Sequence, residues 1–285
     1  MTPALLALCA SVSWGCGDFL GGFFSRRFAV EPVAVLSQFG ALATAVVAAL
    51  ALGGVRRSGV EIGLLAGLCG GLGTLTYFRA LSLGTMSVVA PIAACGAVIS
   101  LALALASGEH PKPLKLSGAL IAFSGALLAS FHERRRGGAS RRSITFAGAT
   151  AVLFGTLLYL LGRASDEGGA LSALLGSRLA AFTLLVFWFA VVGRQLPTVV
   201  GRQLPTRHPA ATTTILLSGV LGAAANGLYG LAAERGLLSI ASLLASLYPV
   251  TTVFLAYLVL HERLSSVQAA GVLVAFAGIA LVVVG

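Results

Sequence analysis

Two charged side chains in this sequence lie deep inside apolar runs, where a charge is costly and marks a pathway or a binding site unless it is paired. Asp18 falls about 15 residues into the first run and follows Trp14 by four positions, so the two share one helix face. Arg178 lies near the middle of ALLGSRLAAFTLLVFWF, too far from either end for its guanidinium to reach water without strain. A guanidinium fixed in a water-filled cavity attracts a carboxylate. A carboxylate in such a cavity binds a proton, a cation or an amine. Two plainer arrangements compete with these. Asp18 could cap backbone or pair with Arg26 or Arg27 just below the interface, and Arg178 could pair with an acidic partner, Asp18 included. Arg79 lies nearer the end of its run, where snorkelling to the interface competes with a cavity role.

Neutral polar residues repeat the pattern. Gln38 occupies the region of the second run that corresponds to Arg178 in the seventh. Thr74 and Tyr77 match Asn226 and Tyr229 at one offset, and each pair is three residues apart, hence on one helix face. Two such faces either line a lumen from both sides or hydrogen-bond between helices. Pro91 and Pro249 stand inside apolar runs, where proline removes a ladder hydrogen bond and frees the carbonyl four residues back, here Ser87 and Ala245. Ser242, Ser246 and Tyr248 add polar groups around the second proline, so a kinked gating helix beside a cavity competes with a harmless proline. Glu109, Glu262, Ser265 and Gln268 read as structural caps. Ser265 and Gln268 fit a capping box that starts the last helix, Glu262 can meet the free amides of that helix, and Pro113 takes the first helical position in the earlier copy.

Composition fixes the solvent for these residues. The 285-residue chain is 58% hydrophobic and 10% charged, against roughly 25% charged in soluble domains, and its mean hydropathy is +0.98. Ten spans of bilayer length can be drawn, over 3–23, 32–53, 60–82, 86–107, 114–131, 144–163, 170–192, 211–233, 237–260 and 266–284. The first is expected to be an uncleaved span, because it has no basic stretch before it. A net charge of +10 does not point to nucleic acid, since the arginines stand singly or in short knots between apolar runs. Cys9, Cys16, Cys69 and Cys95 all fall in apolar runs without CxxC spacing, so no metal, cofactor or disulfide is expected. GRQLPT occurs at 193–198 and again at 201–206, a tolerated loop insertion.

The spans come in two copies. Tyr77 and Tyr229 stand 152 positions apart, as do Gly84 and Gly236, and Ser87 and Ser239. After a one-residue slip, Glu109 and Glu262, Gly118 and Gly271, and Gly125 and Gly278 match at 153. A spacing held over two helices and a loop is an internal repeat. The units are 1–131 and 144–285, joined by a basic linker over 132–143. Each holds five spans. Because five is odd, tandem units must lie upside down relative to one another, the architecture of secondary carriers with a site between the repeats. The expected fold is therefore an all-α polytopic membrane protein of ten transmembrane helices in two inverted five-helix repeats.

Trp14-Gly15 with Asp18-Phe19-Leu20-Gly21-Gly22 and Ser25-Arg26-Arg27 resembles the opening of EamA-type members of the drug/metabolite transporter superfamily. So do Ala90-Pro91, Leu247-Tyr248-Pro249 with Thr251-Thr252, and the Glu262-Arg263-Leu264-Ser265 knot followed by Gln268 and Gly271. In the first copy Glu109-His110-Pro111 lacks the Arg and Ser of that knot. The resemblance implies a ten-helix carrier in a bacterial inner membrane that moves amino acids, related metabolites or drug-like compounds, mostly outward. Its partners would be a small-molecule substrate, the lipid bilayer, and a proton or cation gradient. It also leans to cytoplasmic termini, whereas twelve Lys and Arg on the linker side against six on the other favour a cytoplasmic linker and outer termini.

Three function classes remain in view. A metabolite carrier rests on the inverted repeat, and a multidrug or lipophilic-cation exporter would use Asp18. A membrane-embedded enzyme has no HExxH, no intramembrane His pair and no Gly-flanked Ser nucleophile behind it. No filter-like repeat supports a channel.

Overall fold

The computed structural model describes residues 2–84, 86–129, 140–191, 205–260 and 266–284. Among these the chain is helical, with no strand. The order is α1 (Pro3–Ser25), α2 (Val30–Leu52), α3 (Arg57–Leu83), α4 (Met86–Ala94), α5 (Gly96–Ala106), α6 (Pro113–Ala129), α7 (Arg141–Gly168), α8 (Ala170–Val191), α9 (Pro209–Arg235), α10 (Leu238–Ala245), α11 (Tyr248–Leu260) and α12 (Ser266–Val284). Seven stretches are long and apolar enough to cross a bilayer, and three shorter apolar ones, over 113–128, 238–252 and 270–282, complete the ten rods.

Twelve helices make ten rods because two rods are broken. The fourth is interrupted at Cys95 and the ninth at 246–247. These breaks are repeat-equivalent, since α5 begins at Gly96 and α11 at Tyr248, 152 positions later. The prolines stand differently, which corrects the expectation that each removes a ladder hydrogen bond inside a helix. Pro91 lies inside α4, four residues before its break, whereas Pro249 is the second residue of α11. In a first turn the missing N–H has no ladder partner to lose, so Pro249 starts a helix rather than kinking one. Local signals end the other rods. Thr2 accepts a hydrogen bond from the Leu5 amide at the start of α1, and Ser140 accepts one from the Ser143 amide at the start of α7. Gly53 and Gly169 close α2 and α7 with φ of 65° and 85°, which side-chain-bearing residues rarely adopt.

Contacts between helix ends give the directions of the rods. The start of α3 meets the end of α7 where Gly59 and Gly168 touch, and the start of α1 meets the end of α9 where Pro3 packs on Gly236. At the other face the end of α3 meets the start of α7, with Ser143 Oγ donating to the Ala80 carbonyl at 2.9 Å. The first copy therefore sets out from the face to which the second returns. The α6–α12 contact shows the same relation. Gly118 packs on Gly278, and Gly125 on Gly271, an antiparallel crossing in which each repeat-equivalent glycine meets the other's partner.

Close approach through small residues organises the interior as well. A Cβ on Gly67 would lie 2.2 Å from the Ser177 carbonyl oxygen of α8, and one on Gly219 of α9 would lie 1.8 Å from the Ser37 carbonyl oxygen of α2. Lipid is as apolar as leucine, so helices in a bilayer associate through such close packing and through polar contacts. The exterior is correspondingly apolar, with Leu50, Leu52, Phe187, Leu273 and Phe276 exposed. The basic linker over 132–139, the hexamer copies up to 204, Glu262 and Ser265 lie outside the described residues, as does the side chain of Gln268.

Candidate substrate cavity

A cavity opens where the two copies face each other. Helices α1, α2, α3, α4, α5, α7, α8, α9 and α11 all contribute to its wall. The space between the lining atoms is about 880 Å³, open solvent at its mouth included. From the first copy it receives Trp14, Asp18, Gln38, Thr74 and Tyr77, and from the second Arg178, Asn226, Ser246 and Tyr248. Pro91, Tyr229 and Pro249, also expected there, do not line it. Most of the remaining wall is apolar, including Phe78, Phe154 and Leu157.

Arg178 is 7% exposed and donates from Nη1 to Gln38 Oε1 at 3.1 Å. A guanidinium only donates, so the amide orientation of Gln38 is set, and its Nε2 donates in turn to Thr74 Oγ1 at 3.1 Å. Thr74 passes the chain on to the Gly70 carbonyl at 2.9 Å. The relay fixes the guanidinium in place without neutralising it, because every partner is uncharged. Among the described residues its Nε is buried with no partner. Among the described residues, Arg178 and Asp18 form no ion pair although both line the cavity.

Asp18 reaches the cavity with Tyr77 as its polar neighbour. The Tyr77 hydroxyl is buried without a partner at hydrogen-bonding geometry. Arg26 and Arg27, the other partners considered for Asp18, are engaged elsewhere. Arg26 donates to the carbonyls of Leu81 and Gly84 at the end of α3, and the Arg27 guanidinium lies 4.1 Å from the centre of the Phe23 ring. Tyr248 donates to the Ala90 carbonyl at 3.3 Å, joining the two broken rods.

The repeat is not symmetric in its tyrosines. Tyr77 faces the cavity, while its equivalent Tyr229 is fully buried behind it. The Tyr229 hydroxyl donates to the Leu158 carbonyl at 2.8 Å and lies 2.9 Å from Ser242 Oγ, which in turn lies 2.8 Å from Ser100 Oγ. Its ring supports Trp14, with centroids 5.9 Å apart. Trp14 donates from Nε1 to Asn226 Oδ1 at 3.0 Å.

Sequence reasoning missed several residues. Ser37 and Ser218 line the cavity and bond to each other at 3.1 Å, but single serines in apolar runs carry no distinctive signal. Glu31 is 1% exposed and takes Arg79 as an ion-pair partner at 2.6 Å, so Arg79 does not simply snorkel to the interface. A carboxylate one residue outside a drawn span reads as a loop residue, which is why it was not found. Glu109 does cap a helix, but not the one that follows it. Its carboxylate accepts from the amides of Leu238 at 2.8 Å and Ser239 at 2.9 Å, at the start of α10 in the other copy. On the same face Glu234 accepts from the Ala170 amide at the start of α8.

Rods of this number in two inverted sets, enclosing a cavity whose polar contacts run from one set to the other, define a polytopic membrane carrier. The profile of the EamA-like transporter family matches the chain twice, over residues 1–131 and 141–284. The chain belongs to that family and is a multi-pass integral membrane transporter. A solved crystal structure 18% identical to it superposes with a TM-score of 0.76, over 99% of this chain and 96% of that one, a likeness of fold alone. No curated protein matches the sequence.

Proposed function

We propose that the protein is a secondary transporter that exports an amino acid or a related small metabolite bearing a carboxylate, by alternating access of the cavity between its two repeats. Arg178 carries this reading. A guanidinium held in the membrane interior costs at least about 2.5 kcal/mol on insertion scales, and here it meets a neutral amide beside a cavity rather than an acid. A substrate carboxylate supplies the missing anion. Asp18 in the same cavity offers the complementary site for an ammonium group or for the proton or cation of a coupling gradient. A bacterial cytoplasmic membrane and the outward direction follow from the family resemblance.

A second reading has its own support. Asp18 shares the cavity with the rings of Phe78, Phe154 and Tyr248, a setting that also suits a lipophilic cation. Transport into vesicles separates the two. An amino-acid panel is expected to include a gradient-driven substrate while lipophilic cations are not moved. Transport of the cations alone would replace the first reading by the second.

A further inference from the structure

We propose that Trp14 and Asn226 form a selectivity element, in which Asn226 presents a fixed N–H donor to the substrate's carboxylate and Trp14 positions it. The inference rests on the carboxylate reading above. Trp14 stands on α1 in the first copy and Asn226 on α9 in the second, and they meet at 3.0 Å between indole Nε1 and amide Oδ1. An indole N–H only donates, so the amide oxygen has to face it. The other end of the amide is then Nδ2. That atom is buried and unpartnered, on a residue 1% exposed that lines the cavity.

Rotating the amide does not relieve this. It would set Nδ2 against the indole N–H, donor against donor, and strand Oδ1 instead. The indole is held from behind by Tyr229, whose hydroxyl is tied to the Leu158 carbonyl and to Ser242. A second donor, Arg178 Nε, is buried without a partner among the described residues, on the same wall. Asp18 supplies a carboxylate on this wall beside Tyr77, but Asn226 Nδ2 and Arg178 Nε stay unfilled among the described residues. A carboxylate brings two acceptor oxygens. A primary carboxamide of the same shape brings one and adds an N–H₂, which would meet the Asn226 amide donor to donor. A site built to donate rejects such an analogue because buried donors stay unfilled.

The test compares the twenty L-amino acids with their carboxamides, using purified detergent-solubilised full-length protein. Binding is titrated through ligand-induced shifts in melting temperature. The wild type is expected to favour the acid over its amide. Trp14→Phe frees the Asn226 amide to turn, and the acid-to-amide ratio should fall by roughly tenfold, the equivalent of one hydrogen bond to a charged group. A merely structural role for Trp14 would weaken both ligands equally and leave the ratio unmoved. Asn226→Asp places acceptors where the donor stood and should reverse the preference, so it decides the matter if Trp14→Phe does not fold. Acids that bind the wild type with a ratio unmoved in Asn226→Asp overturn this inference alone. A wild type that binds lipophilic cations and neither series overturns the carboxylate reading, and this inference with it.

Discussion

Arg178 and Asp18 share a cavity without meeting, and this separates two accounts of why the membrane interior keeps a guanidinium. Were the pair mutually neutralising, loss of one charge would strand the other, and joint removal would restore the fold. The arginine instead rests on the Gln38–Thr74–Gly70 relay, all of it uncharged. Arg178→Gln is therefore expected to leave the protein folded and to weaken a carboxylate ligand by roughly 1.5–3 kcal/mol, the worth of a hydrogen bond to a charged group. A ligand lacking the carboxylate should lose little, and paired binding isotherms check both halves of the statement. Equal losses for the two ligands, or rescue of a misfolded Arg178→Gln by Asp18→Asn, would remove the anion site. Asp18→Asn tests the other pole of the cavity. It should abolish gradient-driven transport while insertion and melting temperature are retained. An unaltered pH dependence of transport in that variant would return Asp18 to a purely structural part.

At the scale of elements, α10 is held by its opposite copy. Eight residues long, it is too short to persist on its own. Its free N-terminal amides are met by Glu109, 129 positions earlier than Leu238, and a carboxylate there is favoured by the helix dipole as well as by the hydrogen bonds. From Leu238 to Pro249 every residue is buried, so the segment fills its place against α1, α5 and α9. Glu109→Ala should lower stability by about 1–2 kcal/mol, the usual cost of a lost N-cap strengthened by charge. Thermal unfolding in detergent measures it, and an unchanged melting temperature would show the cap to be idle. The broken rods follow the same logic of two copies. Their interruptions lie at equivalent positions although their prolines do not, so the break belongs to the repeat and the proline only to one local solution of it.

For the whole molecule the α6–α12 glycine contacts and the meeting of helix ends predict a two-fold axis in the membrane plane. The 1–131 and 144–285 halves should superpose after rotation about it, which an experimentally determined structure checks. Parallel halves, or nine spans, would defeat the expectation. The polar contacts at the cavity break that symmetry in a useful way. Tyr77 and Tyr229 are equivalent by repeat, yet one hydroxyl stands beside Asp18 at the cavity while the other is bound behind it. A carrier whose scaffold is two-fold can bind a substrate that is not, provided equivalent side chains take different partners.

The amino-acid sequence by itself determined the solvent, the ten rods, the two copies and their inversion. Those properties depend on composition, on run length and on the parity of five, all of them local or countable. It also marked Asp18, Gln38, Thr74, Tyr77, Arg178 and Asn226 as polar groups in apolar runs, and these do share one cavity. Partnership was decided only by the tertiary structure. Glu109 serves a helix of the other copy rather than the one after it, Arg79 takes Glu31, and Tyr229 turns from the cavity to brace Trp14. The reason is physical. Between lipid and protein interior there is little difference in polarity, so an apolar run does not announce which of its faces meets a neighbour. That choice falls to close-approach points such as Gly219 on Ser37, where backbone meets backbone and only the assembled fold brings the two helices together.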